Sequence, residues 1–227
     1  MLSSQANFAW ITAGGRSHVS IGEPAGVASV LVTREEAYAL MPNIERRRIV
    51  GEEIEGLGFT VIDYPWHQPR SLGTMVAALC DRSSAVSDLG AAGLAHADDE
   101  HAELRRVLLP EEQERYRRLG RDAAAALEAA ARGAEPGETE LDVAARIADG
   151  CVRHDIVPTV NLVASDERIA LYRHPIPTSN AVGRTLLVAL TGRRHGLHAS
   201  VTRMVSFGRR TTTCDRDTRP CNASTHR

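Results

Sequence analysis

The sequence predicts an α/β domain followed by a distinct α+β domain, and three features carry that expectation. Up to about residue 98, short β-branched runs alternate with helical ones, the pattern of an α/β layer. A long Ala-rich amphipathic stretch at 110–133 then changes the character of the chain. Finally, RTLLVALT (184–191) and LHASVTRMVSF (197–207), separated by GRRHG, read as two strands joined by a tight turn.

The elements follow in order. FAWIT (8–12) and VASVLVT (27–33) are rich in aromatic and β-branched residues and are expected as strands. YALM (38–41) pairs with the second of them across the REEA turn. Ile44, Ile49 and Ile54 recur at helical spacing, which predicts a helix over 43–56 ending at Gly56. FTVIDYPW (59–66) is a strand, LGTMVAALC (72–80) a helix and SAVSDLG (84–90) a short strand. Pro110 followed by Glu111 and Glu112 suits a helix start, since proline lacks only an amide that would be unpaired there and acids favour the dipole. AEPG (134–137) is a turn, and Thr139 three residues before Asp142 forms a weak capping box opening a helix to about residue 154. VPTVNLVAS (157–165) is a strand.

Composition bounds the function. With 43% hydrophobic and 25% charged residues, the chain reads as an ordinary globular protein. A formal net charge of -2 gives no general pull toward nucleic acid or an anionic membrane, and neither is expected as a partner. No apolar run approaches the roughly 18 to 20 residues that span a bilayer, and MLSSQANFAW lacks the features of a signal peptide, so a cytoplasmic location is expected. Cys80, Cys151, Cys214 and Cys221 include no CxxC pair, which argues against a thiolate zinc site. Residues 209–227 have almost no apolar content and read as a disordered or out-of-frame tail. Asn222-Ala223-Ser224 in that tail matches a glycosylation acceptor, but no secretion signal accompanies it.

Several segments together resemble the creatinase and Xaa-Pro aminopeptidase family of metallopeptidases, the M24 or "pita-bread" fold. LLPEEQERYRRLGRDAAAALEAA resembles the family's entry helix, and EPGETELDVAARI its Pro-Gly-x-Thr-Glu turn with the helix that follows. LYRHPIPT (171–178) is similar to the segment holding the substrate-binding histidine, and GLHASVTR (196–203) to the strand of the second aspartate. NFAWITAGG, VASVLVT and NIERRR resemble the small N-terminal domain of longer members. The likeness spans residues 7–208. It implies a creatinase-like N-terminal domain at 1–98, lacking its first elements, and the first half of a pita-bread domain at 99–208, with the tail beyond.

In that family two divalent metals such as Mn, Co or Zn, held by two aspartates, a histidine and two glutamates, activate a water and polarise the peptide carbonyl. The resemblance places the first aspartate six residues after Gly183 and seven before Gly196, at Ala189, and the second eleven further on, at Ser200. Neither residue replaces a carboxylate as a ligand for a hard cation. Thr191 stands where the family has glycine. The other three ligands belong to a second half-domain that this sequence does not match. No metal cofactor is therefore expected.

His174 corresponds to the family's substrate-contacting histidine; the bland reading is a histidine satisfied by local hydrogen bonds beside a proline turn. On an extended strand His195 and His198, three apart, would face opposite ways, so with His174 they are not expected to make an imidazole site unless the turn reshapes them. Ser200 with His174 or His198 is a conceivable nucleophile pair without an orienting motif such as GxSxG. His96 and His101 flank Asp98, Asp99 and Glu100 in what reads as a solvated connector, and Gly14-Gly15 reads as a turn. The expectation is a metal-deficient Xaa-Pro peptidase relative without peptidase activity, either a ligand-binding or interaction scaffold or a gene fragment. Such a half-domain leaves one sheet face for a second copy or a protein partner to cover. The alternative is a hydrolase of small peptides or amides using a non-standard site near His174.

Overall fold

The structure is a computed structural model that describes residues 1–69 and 71–208; the tail expected at 209–227, with its glycosylation motif, lies outside the described residues. The chain forms two compact units, Met1–Arg117 with Arg194–Leu197, and Arg118–Arg193 with the residues from His198 on.

In the first unit a four-stranded sheet runs in the order β1 (Leu2–Ser4), β2 (Ala25–Val32), β3 (Ala37–Pro42) and β4 (Thr60–Tyr64). β1–β2 and β2–β3 are antiparallel, and the β2–β3 hairpin turns at the expected REEA. β4 is parallel to β3, which requires a crossover. That crossover is the helix expected at 43–56, realised as α2 (Arg46–Arg48) passing into a π-helical turn at Ile49–Glu53. Neighbouring strand residues go to opposite faces. Val30, Ala39 and Met41 join Phe8 and Ile49 in one apolar cluster, while Leu31 and Leu40 join Val76 of α3 (Ser71–Leu79) in another. Burial on both faces explains why VASVLV and YALM are apolar throughout.

FAWIT is not a strand. Its residues complete α1 (Gln5–Ile11), capped by Ser4, whose hydroxyl accepts from the Asn7 amide at 3.1 Å. A short apolar run fits either periodicity, and here Phe8, fully buried, and Ala9 pack as helix neighbours against the sheet. The supposed connector also departs from expectation. Val86–Ser87 (β5) and Ala95–His96 (β6) pair in parallel, and Asp98–Leu104 forms α4, with Asp99 and Glu100 in the first turn where acids favour the dipole.

The second unit takes most of α5 (Pro110–Arg132), then α6 (Glu140–Arg153), β7 (Val157–Ser165), α7 (Glu167–Leu171), β8 (Thr185–Arg194) and β9 (Leu197–Ser206). The Thr139 hydroxyl accepts from the Asp142 amide and the Asp142 carboxylate from the Thr139 amide, so the capping box is complete. β7, β8 and β9 form one sheet in that order, with Leu162 opposite Ala189 and Val160 opposite Thr191. One face buries Leu186, Val188 and Leu190. Gly192 continues that face, where a Cβ would stand 2.6 Å from Ile156 Cγ2 and 3.6 Å from Ala123 of α5. β8 continues past the expected Thr191 as far as Arg194, and the turn is His195-Gly196. Both turn residues have positive φ, 54° and 74°, the requirement of a two-residue hairpin matched to strand twist.

Asp88 ties the chain start to the rest of the first unit. It is fully buried and accepts hydrogen bonds from the Ser3 and Ser4 amides at 2.8 and 2.9 Å and from Asn7 Nδ2 at 2.7 Å. Burial alone would raise its carboxyl, but the donors, Asn7 first, hold it below the ordinary value of 3.8. A depressed folded value means stability that is present above the unfolded value and lost as pH falls through the folded one. Urea midpoints should therefore drop below about pH 4, and Asp88→Ala should make that drop shallower while losing about 2 kcal/mol at neutral pH.

Candidate functional site

The open face of the three-stranded sheet carries a cavity of about 450 Å³. Its floor is Val160 and Leu162 of β7 with Leu187 and Ala189 of β8; its rim is Arg173, His174, Thr191, Ser200 and Thr202. The three residues singled out in the sequence, His174, Ala189 and Ser200, thus line one pocket although they come from three segments. The period of two explains the grouping on β8: Leu186, Val188 and Leu190 are buried inward, so Leu187, Ala189 and Thr191 point to the open side. The hairpin turn brings Thr191 beside Ser200, their hydroxyl oxygens 2.9 Å apart. Ala189, one inward–outward repeat from Thr191, is then a diagonal neighbour of Ser200. Carboxylates at 189 and 200 would share one site.

The segment bearing His174 is fixed by Glu140, the glutamate that closes the Pro-Gly-x-Thr-Glu turn and to which the sequence assigned no site role. At the first turn of α6 it is fully buried, and its carboxylate accepts from the Ser165 amide at 2.8 Å, the Thr178 amide at 3.0 Å and the Thr178 hydroxyl at 2.8 Å. Arg168 pairs with it and also donates to the Ile176 carbonyl at 3.0 Å. Both ends of the 168–178 loop are thereby held, with Pro175 buried between Arg173–His174 and Ile176. Asp166 makes the second clamp. Its Oδ1 accepts from the Arg184 and Thr185 amides at 2.9 and 2.8 Å, and its backbone takes the strained φ of 50°. A Cβ at Gly183 would collide with that carboxylate, so the glycine that registers the hairpin also has a steric reason. Burial alone would raise the Asp166 carboxyl, but these amides and the Thr185 and Ser165 hydroxyls keep it below the ordinary range.

What the pocket can do chemically follows from its donors. Its lining holds one imidazole and no carboxylate or thiolate, and its one charged side chain, Arg173, is a cation. Among the described residues no group of three or more His, Cys, Asp and Glu side chains is close enough to hold a metal ion. Two divalent cations need several hard anionic ligands, so these residues do not fit the pair. Nor do they form a nucleophile pair, for the hydrogen-bond partner of Ser200 is Thr191, not His174 or His198. The reading of His174 as locally satisfied is also corrected: among the described residues it makes no hydrogen bond, and it stands exposed on the rim. His195 lies in the turn, within the first unit, and His198 belongs to the second. Burial and, secondarily, the Arg193 charge push His198 below the usual imidazole range.

The fold is shared with solved structures of aminopeptidase- and prolidase-type proteins. The X-Pro aminopeptidase of Thermotoga maritima superposes with a TM-score of 0.69 at 18% identity over 95% of this chain and 62% of its own. The prolidase of Pyrococcus horikoshii gives 0.71 at 17% over 95% and 62%, and that of Pyrococcus furiosus 0.67 at 17% over 90% and 64%. At these identities the likeness shows the fold, and the chain spans about three fifths of their length. No curated protein matches the sequence. The profile of metallopeptidase family M24 matches residues 114–221. The match continues past Gly208, where the sequence reading placed the end of the likeness, into residues outside the described structure.

Removing Glu140 would leave Arg168, whose side chain is 15% exposed, without its counter-charge. Glu140→Ala should cost about 3–5 kcal/mol in chemical denaturation. In a variant still folded, hydrogen exchange should quicken across 168–178 while the amides of β8 keep their protection.

Proposed function

We propose that this chain is an M24-type scaffold whose pocket binds a ligand or partner without metal and without peptidase activity of its own. The observation that carries the reading is the pocket itself. Positions 189 and 200, which the resemblance assigns to the two family aspartates, line one pocket with His174 and hold a methyl and a hydroxyl. Without metals, two carboxylates there would repel one another in a half-buried site, whereas alanine and serine remove that cost. What is retained supports folding: Gly183 for the Asp166 clamp, Gly192 for the helix-facing side of the sheet, and Glu140 for the His174 loop.

In the same proposal the first unit is a creatinase-type N-terminal domain, and the open face of the second is covered by a protein partner or a second copy. The exposed side chains of Val160, Leu171, Ile176 and Met204 support an apolar contact. Among the described residues no helix is long and apolar enough to cross a membrane, and we place the chain in the cytoplasm. The proteins titled X-Pro aminopeptidase and prolidase supply the comparison for activity, and for this chain we expect none.

Elemental analysis after incubation with manganese, cobalt or zinc and desalting should find no stoichiometric metal, and an Xaa-Pro dipeptide should show no turnover with any of the three. Metal retained at one or two equivalents would overturn the reading. The geometry has its own check. Ala189→Asp with Ser200→Asp should destabilise the chain by roughly 0.2–1 kcal/mol through like charges on one sheet face. Added manganese should restore the thermal midpoint of that double variant and leave the wild-type midpoint unmoved.

A further inference from the structure

Loss of the aspartates does more than remove a metal site; it reverses the sign of the pocket. Arg173 brings a guanidinium to the rim, and no acidic residue lines the cavity. Among the described residues Arg173 makes no ion pair or hydrogen bond, so its planar fork of donors is free. Its backbone is not free. It lies in the loop clamped at Arg168 and Thr178 by Glu140, next to the buried Pro175. Across the pocket one of the Thr191 and Ser200 hydroxyls donates to the other at 2.9 Å, which leaves one hydroxyl hydrogen of the pair to donate, with Thr202 beside them. Between these polar edges the floor is aliphatic, formed by Val160, Leu162 and Leu187.

We infer that this pocket binds a small organic carboxylate with an aliphatic body, its carboxylate on the Arg173 guanidinium and the rim hydroxyls and its chain on the floor. This rests on the metal-free reading above, because a bound metal pair would demand carboxylates where the inference needs none. A guanidinium meets a carboxylate in a bidentate, charge-assisted fork, the strongest pairing this rim offers. One cation balances one carboxylate, whereas a phosphate dianion would be left half-neutralised. The volume of about 450 Å³ falls within the roughly 300–1,000 Å³ of small-molecule sites. The alanine at 189 leaves room over the floor that a larger side chain would fill.

The test is isothermal titration of the full chain with hexanoate, with hexylamine as the cation of equal length and with manganese alone. Saturable hexanoate binding without hexylamine binding is expected, weakened roughly tenfold or more by Arg173→Gln, which removes the charge-assisted fork. Arg173 is exposed and unbonded, so its variant should keep the wild-type circular dichroism. Ala189→Asp, which restores one negative charge to the floor, should abolish hexanoate binding. Equal binding of the acid and the amine, or hexanoate affinity unchanged in Arg173→Gln, would overturn the inference. So would no binding of hexanoate together with no binding of manganese, an outcome that leaves the metal-free reading standing. Stoichiometric manganese binding would overturn that reading and this inference with it.

Discussion

The buried carboxylate of Glu140 is the constraint on which the second unit depends. A fully buried acid at the start of a helix is costly unless its oxygens are occupied, and here two amides, a hydroxyl and a guanidinium occupy them. Those four donors belong to the end of β7, to α7 and to the loop before β8. One charge therefore joins the first turn of α6 to three other segments. The rim of the pocket, Arg173 and His174, is part of what that network holds in place. Its energetic role is mainly one of specificity, since pairing a buried charge offsets a desolvation cost of similar size.

The frame of the hairpin has reasons of its own, independent of any ligand. Gly183 and Gly192 are needed because a Cβ would meet Asp166 in one case and Ile156 in the other. Gly196 is needed because the turn takes a positive φ there. None of these reasons involves a metal. Positions 189 and 200 face the open side, so a side chain there has little bearing on how the sheet packs. Substitution at an outward position of a sheet changes what the face can bind, and substitution at an inward one changes whether the sheet forms.

Most of the architecture was legible in the chain. The β2–β3 hairpin, the crossover to β4, the capped helix from Glu140 and the bounds of β7 follow from periodicity and capping residues. FAWIT was misread because five apolar residues fit a strand or a helix alike, and the choice fell to Ser4 as cap and to the buried surroundings of Phe8. The stretch of 96–101 was taken for a connector because its charges signal solvent, yet solvent exposure is compatible with the short helix α4. In the site, His174, Ala189 and Ser200 could be named from the resemblance. Glu140 was visible as the end of the Pro-Gly-x-Thr-Glu turn, but its clamping role was not, since an acid in the first turn of a helix ordinarily reads as a surface residue answering the dipole.

By itself the sequence determined the residue types at 174, 189 and 200 and that none of the three is a carboxylate, because residue identity is a local property. Only the tertiary structure decided that the three segments meet in one cavity, that Ser200 turns to Thr191 instead of a histidine, and that Arg173 gives the cavity a positive rim. Those outcomes depend on how a loop far along the chain is held over a sheet face. That placement is set by a buried ion pair joining residues 28 positions apart, which no local pattern encodes.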